Sequence, residues 1–354
     1  MRKQPTETDI GSRLVGWCTG DYRGRASTGT LDIVVTADAE PTALLDGAAE
    51  LGLNIGSETM VFWPESLRPD ARLQQCAAHL STYEGSVYAA DEDDLLVNGV
   101  VPLASVAYGS GPYFPVTGPT VLRMTEPADY LDFLVDADRA VARGLFPDHL
   151  THPLVRLGDT CALAGQLPCH SAQQRRVLVA AAGLFHSPYG EPITTLPSVG
   201  CPCVRAIHSS AQLSAERAAR PWLARFTEVL GVLAALRARA HAPANTTTVS
   251  GFGTRLTAAA PATPTEAAGR PVIVSRDQEA LICDPNSLRV MRVSGDVARV
   301  GELMLAGDSI DRSELTDQVA EELAVESRPA ADALSTVYDT LLGMGCALPE
   351  LSPA

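Results

Sequence analysis

The strongest constraint on this chain is a break in its pattern. Residues 242–270, APANTTTVSGFGTRLTAAAPATPTEAAGR, are dominated by Ala, Thr, Pro and Gly, and from Thr257 onward they carry no apolar periodicity. Such composition reads as a flexible linker. It divides the 354 residues into a long region, 1–241, and a C-terminal stretch, 271–354. At about 150 residues per domain the length accommodates two. The sequence therefore predicts an N-terminal domain, a linker over 242–270 and a compact C-terminal domain.

Charge narrows the function. Lys and Arg total 27 against 42 Asp and Glu, a net charge of −15, which repels phosphate backbones and excludes nucleic acid as an expected partner. Lys3 is the only lysine. A Walker-type phosphate loop or Schiff-base chemistry needs an internal lysine, so both enzyme classes drop out. No uncharged apolar run reaches the roughly 20 residues that span a bilayer, and the start MRKQPTETDIGSR lacks an apolar signal core. The expectation is a cytoplasmic protein with no membrane partner and with reduced cysteines.

Region 1–241 reads as α/β. Leu31–Thr36, Met60–Trp63, Val121–Met124, Thr160–Ala164, Arg176–Leu184 and Ile193–Leu196 are apolar runs of strand length. Pro127–Arg143 has helical spacing, with Thr125 placed to cap it. Ala211–Ala240 is helical with a break at Pro221. Its expected role is that of a scaffold or partner-docking domain.

The C-terminal stretch can be read element by element. Val272–Val274 and Glu279–Cys283 are short strands, Asp284-Pro285-Asn286-Ser287 is a turn, and Leu288–Val293 is a third strand. Ser294 caps a helix carrying Val297, Val300 and Met304 on one face. Asp311 and Glu314 form a capping-box pair, with Ile310 and Leu315 as a hydrophobic staple. Ser327-Arg328-Pro329 opens a last helix whose stripe is Ala330, Leu334, Val337, Leu341 and Met344, with Gly345 placed for a left-handed stop. Three strands and three helices make a winged-helix-like unit. Its 6 Arg against 15 acidic residues oppose the usual DNA reading of such a unit. An edge strand with apolar groups on both faces suits the addition of an extended peptide instead.

This stretch resembles a PqqD-like domain, the recognition element of ribosomally made and post-translationally modified peptides (RiPPs). The resemblance lies in the paired short strands, the DPNS turn, the helix VARVGELMLAG, the segment ELTDQVAEELAV and the ending GMGCAL, and it covers about a quarter of the chain. It implies that the third strand, Leu288, Arg289, Val290, Met291, Arg292 and Val293, pairs with the leader of a precursor peptide. The last helix would face that leader with Leu334, Ser335, Tyr338, Leu341 and Leu342, of which Leu334 and Leu341 are expected to be mostly core. The implied partners are the precursor peptide and the enzymes that modify it. The layout, with the phrases TVSGFG and LGDTCAL, is similar to the recognition proteins of actinobacterial daptide-type clusters.

Catalytic signals are weak by comparison. Cys161, Cys169, His170, Cys201, Cys203 and His208 could hold Zn²⁺, but Cys-Pro-Cys spacing is not the familiar pair, and no metal or cofactor is expected. Gly109-Ser110-Gly111 reads as a turn, Gly251-Phe252-Gly253 lacks the third glycine of a dinucleotide loop, and the acidic run 91–94 reads as a solvated turn. The expected function is non-catalytic leader recognition. The alternatives are a peptide-modifying enzyme with a fused recognition element, and an acidic winged-helix regulator of protein partners.

Overall fold

The computed structural model describes residues 6–20, 31–40, 42–51, 53–56, 58–69, 71–76, 79–87, 95–99, 101–160, 163, 175–185, 193, 211–240, 247–261, 264, 268–276, 279–307 and 309–352. It is a mixed α/β chain in two compact units: Met1–Asp132 with Leu154–Ala219, and Phe133–Pro153 with Arg220–Ala354. Among the described residues no helix is long and apolar enough to cross a membrane.

The first unit is built on strands Leu31–Val35 (β1), Met60–Pro64 (β2), His79–Glu84 (β3), Leu95–Val97 (β4), Val101–Ala107 (β5), Thr120–Arg123 (β6), Val155–Leu157 (β7), Arg175–Ala180 (β8) and Gly183–Phe185 (β9). They form one sheet in the order β7-β6-β5-β4-β3-β2-β1-β8-β9. The pairs β1–β2, β1–β8, β2–β3, β5–β6 and β6–β7 are parallel, and the rest are antiparallel. Parallel strands covered on both faces become near-continuous apolar runs, and β1 and β2 are buried at every position. Helix Glu7–Thr19 (α1), opened by a Thr6–Asp9 capping box, lays Ile10, Leu14 and Trp17 on Val34, Met60 and Phe62. Helices Ala43–Glu50 (α2) and Ala71–Cys76 (α3) serve the other face, where Leu44, Ala48 and Leu73 meet Ile33, Val61 and Trp63.

Among the described residues of this unit, Arg123 and Arg176 are buried. Arg176 donates to the Trp17 carbonyl at 2.7 Å and to Asp159, and its guanidinium lies 5.3 Å from the Trp17 ring centroid. Arg123 donates to Ser105 Oγ at 3.0 Å and to the Val87 carbonyl. Of the strand expected at 160–164 the described residues are Thr160 and Leu163, and both are helical, the Leu163 N–H reaching back to the Asp159 carbonyl at 3.2 Å. The run predicted at 193–196 lies outside the described residues beyond Ile193.

Helix Pro127–Arg143 (α4) forms as its spacing predicts, but its cap is inverted. Asp129 accepts from the Thr125 N–H and hydroxyl, rather than Thr125 accepting from the helix. From Phe133 on, α4 counts with the second unit. The long helical run 211–240 divides at Pro221, as the sequence predicts, into Ala211–Ala218 (α5) and Leu223–Ala240 (α6).

The second unit departs most from the sequence reading. Thr247–Ser250 (β10), Gly253–Thr254 (β11), Val272–Arg276 (β12), Glu279–Cys283 (β13) and Val290–Val293 (β14) form one sheet in the order β11-β10-β12-β13-β14. The segment read as a linker thus supplies two strands, with Val249 opposite Val274 in the β10–β12 register. Buried Glu302 holds it from the other side: its carboxylate accepts from Ser250 Oγ and from the N–H groups of Leu256 and Thr257. The two units accordingly part at Asp132/Phe133, Pro153/Leu154 and Ala219/Arg220, with 242–270 inside the second unit.

After β14 come helices Gly295–Leu305 (α7), Arg312–Leu323 (α8) and Ser327–Gly343 (α9), at the predicted places. Ser294 caps α7 through the Val297 N–H, and Asp311 caps α8 through Ser313 and Glu314. Glu326, not Ser327, is the residue before α9. Gly345 stops α9 at φ 81°, and the Cys346 N–H returns to the Leu341 carbonyl at 3.2 Å, the geometry of a Schellman stop. Beyond it Glu350–Ser352 (β16) pairs in parallel with Ser309–Asp311 (β15).

This sheet is covered on both faces. Ile273, Ala280 and Ile282 pack with the α7–α9 stripes. On the opposite face Val249, Val272, Val274 and Cys283 are at most 1% exposed. Helix α6 is bonded along the strand ends, Arg225 to the Arg270 and Pro271 carbonyls and Glu228 to the Gly269 N–H. Phe226 packs with Phe133, Phe146 and Phe252 at centroid distances of 5.6, 6.2 and 6.5 Å.

Candidate functional site

The site the sequence singles out is β14 with the adjoining face of α9. Strand β14 is shorter than predicted. Asp284 makes an Asx turn, its carboxylate accepting from Asn286 N at 3.0 Å and Ser287 N at 3.2 Å. Leu288 then adopts φ 56°, a conformation that costs an L-residue roughly 1–2 kcal/mol. Leu288 and Arg289 are therefore turn residues, and the ladder begins at Val290. The Leu288 N–H donates to the Asp284 carbonyl at 2.8 Å, and its own carbonyl accepts from Arg239 Nη2 of α6 at 3.0 Å.

The hydrogen-bond phase of this hairpin determines what its outer side offers. The Asp284 N–H donates to the Arg289 carbonyl at 2.9 Å, so this pair is a bonded one. Bonded and non-bonded pairs alternate along an antiparallel ladder. With Cys283 opposite Val290 and Ile282 opposite Met291, Met291 and Val293 bond to β13, while Val290 and Arg292 direct their N–H and C=O groups away from it. Strand β14 stands last in the sheet order. At the opposite end Gly253 of β11 packs against the chain, since a Cβ there would lie 2.2 Å from the Gly144 N and 2.4 Å from the Arg143 carbonyl carbon. Among the described residues, no strand pairs with the outer side of β14.

Side chains divide by face. Met291, Val293 and, on α9, Tyr338 are half-buried against the same core, formed by Ile282, Leu334, Leu341 and their neighbours. Leu334 and Leu341 are fully buried and belong to that core, whereas Leu342 is 56% exposed. The Ser335 hydroxyl accepts from Arg312 at 2.7 Å and donates to the Ala331 carbonyl at 2.8 Å. On the other face of β14, Arg292 is 72% exposed and pairs with Glu279 at 3.1 Å, and Val290 is half-buried. Burial pushes the Cys283 thiol, opposite Val290, up to about 12 against a weaker pull from Arg239. The thiol is neutral and serves as a small apolar side chain.

No family model, curated protein or solved structure matches this chain.

The structure gives less to the other candidates. Cys161, Cys169, His170, Cys201, Cys203 and His208 lie outside the described residues, as do residues 91–94. Gly109–Gly111 sits in the 3-10 turn Tyr108–Tyr113, pinned by Asp129 accepting from the Gly109 N–H at 2.8 Å. Gly251, at φ 82°, turns the chain after β10, and Gly253, at φ 66°, opens β11. Sequence reasoning missed Arg239, whose place in the last turn of α6 gives no hint that it reaches a turn 49 residues away. It also missed Glu302, which a search for acidic residues breaking the apolar face of α7 would have found.

Proposed function

We propose that this chain is a non-catalytic recognition protein of RiPP biosynthesis. It binds the leader of a precursor peptide as an added strand on β14 and presents it to the modifying enzymes of the same cluster, in the cytoplasm. On this reading β12–β14 and α7–α9 are the winged-helix-like, PqqD-like recognition element, similar to that of daptide-type clusters, and the first unit is the surface on which the modifying enzymes dock. The observation that carries the proposal is the outer side of β14, which no described strand pairs. Val290 and Arg292 present unpaired backbone donors and acceptors beside the half-buried apolar groups Met291, Val293 and Tyr338, the combination that strand addition uses.

The test is a fluorescence-anisotropy titration of short labelled precursor peptides encoded beside this gene. Tyr338→Ala removes an aromatic anchor that in typical interfaces is worth about 2 kcal/mol, so affinity should fall roughly thirtyfold. Val290→Pro removes an N–H that points away from β13, so the β13–β14 ladder survives while peptide pairing is lost. Unchanged affinity in both variants, each folded by circular dichroism, refutes the proposed groove, and no binding to the wild-type chain refutes the recognition function.

A further inference from the structure

The charge along β14 says what the added strand should carry. Between 271 and 354 acidic residues outnumber arginines 15 to 6, yet the stretch 285–293, PNSLRVMRV, contains two arginines and no acid. Both are at the surface: Arg289 is exposed just before the ladder, and the Arg292 side chain is 72% exposed within it. The open edge thus carries two exposed arginines on an acidic unit, one of them, Arg292, paired with the exposed Glu279. Sheet geometry sorts the neighbours of an added strand. Its residues on the side of Met291 and Val293 meet the apolar helical core, and those on the alternate side meet Arg292 and Val290.

We infer that β14 selects an extended segment in which apolar residues alternate with acidic ones. The apolar side chains lie toward Met291, Val293 and Tyr338, and a carboxylate lies toward Arg292. This inference rests on the strand-addition reading and adds the chemistry of the ligand to it. Opposite charges on directly facing strand positions favour the pairing and like charges disfavour it. A lysine-bearing strand would bring like charge to Arg292. Arg292 holds Glu279 in the free chain, so an incoming carboxylate shares or displaces that exposed partner.

The test uses the full chain and two fluorescein-labelled decapeptides with leucine or valine at alternate positions. One carries glutamate and the other lysine in the intervening positions, and both are titrated at 50 and 300 mM salt. The glutamate peptide should bind at least tenfold more tightly than the lysine peptide at low salt, and the gap should narrow at high salt. Arg289→Gln/Arg292→Gln should reduce it to under threefold. Equal binding of both peptides, abolished by Val290→Pro, overturns the charge selection and leaves strand addition standing. Tighter binding of the lysine peptide also overturns the selection. Failure of both peptides to bind the wild-type chain overturns the inference and, if neighbouring precursor peptides fail as well, the strand-addition reading with it.

Discussion

Replacing Glu302 by alanine should loosen the 247–260 segment while the helical core stays intact. The carboxylate is 4% exposed and accepts from Ser250 Oγ at 2.5 Å, the Leu256 N–H at 2.8 Å and the Thr257 N–H at 2.6 Å. A buried donor left without an acceptor costs about 1–3 kcal/mol. Thr257 is 2% exposed and bears that cost in full, whereas Ser250 and Leu256 are half-buried and partly recover it from water. The total is about 3 kcal/mol, a large share of the ~5–15 kcal/mol that stabilises a typical domain. Glu302→Gln keeps one carbonyl oxygen but turns an amide donor toward other donors, so about half that loss is expected. Urea denaturation gives the global figure and hydrogen exchange the location: the amides of Thr248–Ser250 should lose more protection than global unfolding explains, while those of α9 quicken only as far as global stability falls. A stability change under about 0.5 kcal/mol, with unaltered exchange at 247–250, would refute this account of what holds the segment.

Other outcomes follow from the same geometry. The fragment 271–354, cut at the boundary the composition suggests, should not unfold cooperatively. It uncovers Val272, Val274 and Cys283, each at most 1% exposed in the chain, at a cost of about 1.5–3 kcal/mol per large apolar side chain. A sharp thermal transition for that fragment would contradict the burial argument. The Cys283 pKa, raised in the fold to about 12, also sets a pH window. The folded state holds the thiol proton more tightly, so this stability is complete below the usual thiol range near 9 and is lost as pH rises toward 12. Stability should therefore fall on the alkaline side more steeply in the wild type than in Cys283→Val, and identical alkaline limbs would show that the thiol is not coupled to folding.

The legible part of the fold was the part set by local chemistry. Asp284, Ser294, Asp311 and Gly345 act on backbone groups within four residues, so turns and caps written in the sequence appear in the structure. The 242–270 error has the opposite cause. Thr247-Thr248-Val249 are strand-formers, but their pairing with β12 and their capture by Glu302 are contacts across 25 or more residues that composition does not encode. The strand at 288–293 was overestimated because apolar residues read alike in a ladder and in a turn, and only Arg239 and the left-handed Leu288 distinguish them. Tyr338 and Leu342 were separable from Leu334 and Leu341 by helical phase alone. The Ser335–Arg312 bond was not, since it depends on how α8 and α9 meet.

The place of β14 at the end of its sheet has a consequence for self-association. A sheet open at both ends can add copies of itself indefinitely, which is the geometry of a fibre. Pairing of β14 with β14 of a second copy uses the same strand in both chains and so closes on itself as a pair. Whatever occupies β14 also removes that opportunity, making a bound peptide and a paired second copy mutually exclusive tenants of the same four residues.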